Sequence, residues 1–575
     1  MHAHKGRLTI VMGPITAAYA ALRPPIQRAC VAWVASACAA LAGCLSPLTA
    51  VAQSPAAPIT SAQTATNTPT GTPAASPTVT PNEARTWADE VLYFVLIDRF
   101  VDGDPSNNAG VDRRNPGGWH GGDLKGLTQQ LDGLKELGIT ALWINPVQMQ
   151  QKRGMPAQSA GQGSFVHEGF HGYWMHDFEA MEPHFGTESD LKNLVDAAHQ
   201  RGIKVLLDIV INHAGYTSSY TDRKTAAGET WLRVGEGNCE VDPIKCAVGG
   251  LPDFKTEIPE VRNHLINANI GLAKRTGLDG FRIDTYKHVE SSVWAEQRAR
   301  TRAELGSNFF LLAEQWGGTA QSLDPIFERD EVDSGFDFSF KGGCEAWVTG
   351  RGRTVAYGAY LRSRHAVRKG YVLAHYLSTH DEPMMLGNLK GDREQFRVCA
   401  ALQMASLGMP VIYYGEEVAR GGHEWPMNRN DMPWGDANIL PGKGIARDED
   451  LRKFYKSLLQ IRASRPALRR GDYTLLTQPT DIVLAFARAD AASADKVVVL
   501  ANREDRVVAA DVALPQAMAS AGLIDLLTGK AVSSADGRLK LDMAAKSVRI
   551  IALADFKPDV KTALKTAAKT TKAAL

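Results

Sequence analysis

A chain of 575 residues exceeds the usual size of one domain, and with 44% apolar and 22% charged residues it holds material for an ample core, so two or three globular domains are expected. A formal net charge of +1 excludes the counterion-driven affinity of a nucleic-acid binder; no nucleic-acid partner is expected, and a neutral substrate is. Residues 1–52 read as an export leader, in which Lys5, Arg7, Arg23 and Arg28 precede an apolar run from Ala29 to about Leu45 and Ala50-Val51-Ala52 offers a signal-peptidase type site. Within it Leu41-Ala42-Gly43-Cys44 has the form of a bacterial lipobox. Free secretion, release into the periplasm and lipid anchoring at Cys44 therefore all stand, and membrane contact is expected only through that lipid. Residues 53–83, Ala, Thr, Pro and Ser with almost no large apolar residue, cannot bury enough surface to order and read as a disordered tether.

Beyond the tether, Val91-Leu92-Tyr93-Phe94-Val95-Leu96-Ile97 is an unbroken apolar run, as a parallel strand buried on both faces requires. Leu127, Leu131 and Leu134 recur at helical spacing, Gly138 stands where a C′ glycine belongs, and 139–144 follows as a strand. The unit repeats. Thr187 caps a helix with Leu191, Leu194, Val195 and Ala198 on one face, and a strand over 205–210 follows Gly202; Pro259 opens a helix that Gly277 ends, and the strand of Phe281 and Ile283 follows. Strands at 309–313, 336–340, 371–377 and 411–414 bring the count to eight.

Eight strands alternating with helices predict an α/β fold, a (β/α)8 TIM barrel over 84–465, rather than a doubly wound sheet. The long interval from Asp208 to Asp284 leaves an excess, about 214–257, for an inserted domain after the third strand. Short alternating runs at 474–477, 483–487, 497–501, 507–512 and 548–553 predict a C-terminal all-β sandwich over 466–556, and the Lys/Ala-rich segment 557–575 reads as a solvated tail. A monomer is expected. Of seven cysteines three lie in the leader; a bridge between Cys239 and Cys246 is expected in an exported chain, while Cys344 and Cys399 stay open between a bridge and two buried thiols.

In Gly280-Phe281-Arg282-Ile283-Asp284, strand geometry puts Arg282 and Asp284 on one face and Phe281 and Ile283 on the other. Alone, that is equally a structural ion pair. In a barrel, however, polar residues at the C-terminal ends of strands form the active site, and here those ends carry Asp208, His213, Arg282, Asp284, Glu314, His380 and Asp381. A transition metal could also use such a cluster. Retaining glycoside hydrolysis, which needs one carboxylate as nucleophile and another held protonated, matches the inventory.

Seven motifs stand in order over most of residues 90–420: His171-Gly-Tyr-Trp174, Asp208-Ile-Val-Ile-Asn-His213, Leu251-Pro-Asp-Phe254, Gly280-Phe-Arg-Ile-Asp284, Ala313-Glu-Gln-Trp316, His380-Asp381 and Gly408-Met-Pro-Val-Ile-Tyr-Tyr-Gly415. On these the chain closely resembles the α-amylase family of retaining α-glucan hydrolases and transglycosylases, nearest in motif style to bacterial secreted α-amylases and the cyclodextrin glucanotransferase group. The resemblance implies a barrel with a domain B and a β-sandwich domain C, an α-glucan substrate, and cleavage of internal α-1,4 bonds of starch-like glucans by double displacement. It implies Asp284 as nucleophile, Glu314 as acid/base and Asp381 as the carboxylate fixing the sugar in subsite −1. Arg282 would keep Asp284 ionised, His213 and His380 would bind sugar hydroxyls, Tyr173 would stack on the sugar, and Lys287 and Trp316 would stand on the leaving-group side.

The resemblance also implies Ca2+ at Asn212, Asp253 and the carbonyl of His288, and a second Ca2+ at Asp102, Asp104, Asn107, Asn108, the carbonyl of Gly121 and Asp123, whose oxygens suit a hard cation. An Asx-rich turn that needs no ion is the other reading of the second set. Departures from the family pattern are Thr379, where Asn commonly precedes the His-Asp pair, and Gly249, near where cyclising transferases carry an aromatic, which argues for hydrolysis. A maltogenic or cyclodextrin-degrading hydrolase or an α-glucanotransferase shares this scaffold. A silent glucan-binding protein would usually lack one of the three carboxylates.

Overall fold

Eight parallel strands close on one another in chain order in the computed structural model, which describes residues 86–235 and 237–556. They are β1 (Leu92–Val95), β2 (Ala141–Ile144), β3 (Lys204–Ile209), β4 (Gly280–Ile283), β5 (Phe310–Ala313), β6 (Ser334–Phe336), β7 (Val372–Tyr376) and β8 (Met409–Tyr413), with β8 pairing back onto β1. The expected leader with Cys44, the tether and the Lys/Ala-rich tail lie outside the described residues. Among the described residues no helix is long and apolar enough to cross a membrane.

Closure leaves no strand edge, and the strands are buried on both faces, which is why they read as solid apolar runs. Parallel neighbours need crossovers, and the helices supply them. Helix Glu188–Gln200 starts on a reciprocal cap in which the Asp190 N–H donates to the Thr187 hydroxyl and the Thr187 N–H donates to the Asp190 carboxylate. Helix Pro259–Thr276 opens on its proline and ends at Gly277, whose φ of 79° is left-handed.

Two expectations shift. The Leu127/Leu131/Leu134 helix is two helices, Leu124–Gln129 and Leu131–Leu137, broken at Gln130, whose N–H bonds back to Leu127 at 3.1 Å. The strand expected over 336–340 is β6 followed by the helix Ser339–Val348. Phe336, Phe338 and Phe340 alternate as in a strand, but the Asp337 carboxylate accepts the Ser339 N–H at 3.1 Å and turns the chain. The segment between β2 and β3 also carries more structure than its sequence suggests, a hairpin of Met155–Ser159 with Gly163–His167 and a pair of Gln148–Gln150 with Met175–Met181. Residues 214–257 are by contrast mostly irregular, with Leu232–Arg233 paired to Asp253–Phe254. Cys239 and Cys246 are bonded; Cys344 and Cys399 are recorded as thiols.

The C-terminal region is all β, a six-stranded sheet with a two-stranded ribbon, Val508–Ala513 with Arg538–Met543, and three strands there went unread in the sequence: Leu523–Asp525, Lys530–Val532 and Arg538–Met543. Its strand Lys496–Asn502 is apolar on both faces for a reason. Val497, Val499 and Ala501 join the core that includes the barrel, while Val498 and Leu500 join a second core inside the C-terminal domain. On the barrel-facing side of strand Leu484–Ala489, Arg488 is fully buried and donates to the carbonyls of Ala405 at 2.7 Å, Leu468 at 3.2 Å and Gly471 at 2.8 Å. Arg488→Ala strands those carbonyls without a donor and is expected to cost about 3 kcal/mol. Urea unfolding followed by activity should show a lower midpoint with unchanged kcat per folded molecule; an unchanged midpoint would show that the buried guanidinium holds nothing.

Candidate active site

The barrel register assembles the site. Arg282 on β4 lies opposite Asp208 on β3, and the next steps of the same ladders, Asp284 N–H to the Ile209 carbonyl at 3.0 Å and Glu314 N–H to the Ile283 carbonyl at 2.9 Å, fix both carboxylates just past their strand ends. Gly280 is required where β4 meets β5, because a Cβ there would stand 2.3 Å from the Phe310 carbonyl oxygen.

Arg282, 1% exposed, is the hub. Its Nη1 lies 3.0 Å from each Asp208 oxygen and 2.8 Å from Asp284 Oδ1, and its Nη2 lies 2.9 Å from Glu314 Oε1. The Trp143 ring sits 5.0 Å beneath the guanidinium, and Trp143 Nε1 donates to Asp208 Oδ2 at 3.0 Å. The other Glu314 oxygen accepts the Thr285 N–H at 2.9 Å. Thr285 aims that N–H from φ 48°, a left-handed conformation that a β-branched residue adopts only under strain.

Tyr173 donates its hydroxyl to Asp208 Oδ2 at 2.7 Å and stacks on His380, with centroids 5.2 Å apart at 14°. The His380 Nε2 lies 3.2 Å from Asp381 Oδ2, and its Nδ1 faces the Thr379 hydroxyl at 3.2 Å, so the threonine that departs from the family pattern holds this ring. Arg429, from the segment after β8, donates to the His380 carbonyl at 3.0 Å and lies 3.3 Å from Asp381 Oδ1. His213 Nε2 faces the Tyr173 carbonyl at 3.2 Å and its Nδ1 the Asn212 amide at 3.3 Å. Because a carbonyl only accepts, Nε2 carries the proton, and both ring nitrogens serve the protein frame rather than standing open for a sugar hydroxyl. Trp316 packs on Phe338 at 5.0 Å, and both line a cavity together with Glu314, Asp381, Arg282 and Thr379. Lys287 stands half-buried on the turn Tyr286–His288 just past Asp284.

Burial sets the protonation states. It pushes Glu314 up to about 8, against the pull of Arg282 and with the push of Asp284 and Asp381. It raises Asp208 to about 7 against Arg282, and raises Asp381 against Arg429 and Arg282. The His380 imidazole is driven well below its usual range by burial, then by the Arg429 and Arg282 charges, and stays neutral.

The two expected cation sites fit unequally. In the loop after β1, Asp102 Oδ1, Asn107 Oδ1 and Asn108 Oδ1 are buried with no hydrogen-bond partner among the described residues, and Gly121, at φ 90°, leaves space that a Cβ would fill 2.5 Å from Asn108 Oδ1. Unpaired side-chain oxygens around such a cradle are what a hard cation takes. Asp104 and Asp123 are otherwise engaged: Asp104 accepts from Ser106 and Lys125, and Asp123 caps the helix at Gly126 and accepts the Gly103 and Asp104 N–H groups. At the other site Asn212 Oδ1 is likewise unpaired, His288 closes its turn, and Asp253 is already paired with Arg233 Nη1 at 2.5 Å. Arg233, like Trp143, Thr285 and Arg429, carries no sequence signal of its role.

The sequence model for the catalytic domain of α-amylase matches residues 94–233 and 244–456. A periplasmic α-amylase of Escherichia coli is 27% identical over 68% of this chain and 69% of its own length, and neopullulanase 2 of Thermoactinomyces vulgaris is 29% identical over 80% of this chain and 76% of its own. The crystal structure of an Anoxybacillus α-amylase superposes with a TM-score of 0.71 at 29% identity, covering 82% of this chain and 98% of that one. With the closed eight-stranded barrel and the carboxylates gathered on Arg282, these matches make the chain a member of the α-amylase family and a glycoside hydrolase.

Proposed function

We propose that the protein is an exported α-amylase that cleaves internal α-1,4 bonds of starch-like glucans with retention, through Asp284 as nucleophile, Glu314 as acid/base and Asp381 as the carboxylate that orients the sugar. One observation carries the assignment: two carboxyls on one guanidinium with different environments. Asp284 accepts from Arg282 and is aimed into the cleft past β4, while Glu314, buried, is pushed up to about 8 and keeps its proton at neutral pH. Glu314 protonates the departing oxygen as the Asp284 oxygen attacks the anomeric carbon; deprotonated, it then takes a proton from the water that cleaves the glucosyl ester. The leader in residues 1–52 and the likeness to a periplasmic α-amylase support a secreted or periplasmic location.

Glu314→Ala should lower kcat/KM on starch by about 10²–10⁴-fold, yet leave the first step on an α-glucosyl fluoride substantially intact, because fluoride departs without a proton. Asp284→Ala should abolish both. Equal loss on the two substrates in the Glu314 variant would refute the roles.

The raised Glu314 also sets a pH limit. The acid is competent while protonated, below about 8, and is lost as pH rises through that value. The alkaline limb of kcat/KM on a maltooligosaccharide should therefore have its midpoint near 8, and a limb near 5 would mean that burial does not hold the proton.

Calcium belongs to this reading as a structural ion: bound in the loop after β1, it would supply positive charge to the oxygens of Asp102, Asn107, Asn108 and Gly121. A cation that binds only the folded chain raises its stability by mass action. Chelation should lower Tm and activity together, and an unchanged Tm in excess chelator, with no calcium in the purified protein, would remove the ion from the account.

A further inference from the structure

Two cysteines outside the cleft face each other in the core. Cys344, on the helix Ser339–Val348, and Cys399, on the helix Arg393–Ala405, are fully buried, and their Sγ atoms lie 2.7 Å apart. That is well inside the contact distance of unbonded sulfurs and a small side-chain adjustment from the roughly 2.05 Å of a disulfide. The helices are also fastened to each other directly, Gln395 Nε2 donating to the Val348 carbonyl at 3.3 Å, and the Glu345 carboxylate accepts from Asn388 at 2.6 Å just before the second helix. The approach of the sulfurs therefore belongs to the packing of the two helices.

We propose that Cys344 and Cys399 are the site of a second structural disulfide, a cross-link that closes a segment of 55 residues containing Asp381 and the whole of β7. Its setting differs from that of the Cys239–Cys246 bond, which spans seven residues in a partly exposed loop. Burial raises the Cys399 thiol well above its ordinary range, so the folded chain offers little thiolate for exchange. The bond accordingly forms while the helices dock and resists reductants once water is excluded.

The oxidant is a disulfide, small like oxidised glutathione or carried by an oxidase of the exporting compartment. One cysteine thiolate attacks a sulfur of that disulfide and releases one thiol; the second cysteine thiolate attacks the mixed disulfide and releases the other. The protein loses two electrons and two protons, and the oxidant gains both as two thiols.

The test uses the full chain, unfolded and refolded in a glutathione buffer rich in the oxidised form, blocked with iodoacetamide in denaturant and digested by trypsin without reductant. Cleavage after Lys341, Arg351, Arg397 and Arg420 isolates peptides 342–351 and 398–420. The expected product is these two joined, two hydrogens lighter than their sum and absent after reduction. Alkylated Cys344 and Cys399 in separate peptides, or either joined to any other cysteine of the chain, overturn the proposal. A variant with Cys30→Ser, Cys38→Ser, Cys44→Ser, Cys239→Ser and Cys246→Ser isolates the stabilising effect. Oxidised, it should melt several degrees above the same variant refolded reduced, because a cross-link over a segment of this length restricts the unfolded chain, and equal melting temperatures would overturn the structural role.

Discussion

One guanidinium sets the terms for the cleft. Arg282 is buried at the end of β4, and a charge so placed is tolerable only because Asp208, Asp284 and Glu314 surround it within 3.0 Å. That arrangement demands neighbours on both sides of β4, Asp208 from β3 and Glu314 from β5, in a parallel register that puts all three strand ends at the same level. A barrel provides this, since every strand has two partners and all C-terminal ends open on one face. Without Arg282 the three carboxylates would share a buried site with no cation among them, so the residue that holds Asp284 in place also makes the carboxylate cluster affordable.

The parts of this site that were legible in the sequence are those whose chemistry coincides with a strand end. Asp208, Asp284, Glu314 and Asp381 each lie in or shortly after a largely apolar strand, so polarity and position agree, and the seven ordered motifs anchor them. The unread parts act across distance in the chain or through the backbone. Arg429 reaches Asp381 across 48 residues, and Trp143 reaches Asp208 across 65; neither has a spacing signature. Thr285 contributes an N–H through a left-handed φ that no residue preference announces, because threonine is among the last residues expected there. Phe336-Asp-Phe-Ser-Phe340 shows the opposite failure: a clean alternation that a single Asx turn overrides. In the loop after β1 the Asp/Asn spacing marks Asp102, Asp104, Asn107, Asn108 and Asp123 alike, yet Asp104 and Asp123 spend their oxygens on the chain itself, and the unpaired ones belong to Asp102 and the two asparagines.

The balance of charge explains why one carboxyl of the cluster stays protonated and what that serves. Asp208 takes bonds from Arg282, Tyr173 and Trp143, all of which favour its anion, and Asp381 faces Arg429. Glu314 shares Arg282 with two other carboxylates and gains one backbone N–H, too little to offset its burial, so the proton settles there. The cleft gathers four carboxyl groups, Asp208, Asp284, Glu314 and Asp381, against two guanidiniums, Arg282 and Arg429, in a largely desolvated setting. A reaction whose transition state carries positive charge on a sugar ring gains from that excess of acidic groups, while a neutral glucan in the ground state gains little. The same imbalance that raises Glu314 therefore favours the transition state over the bound substrate.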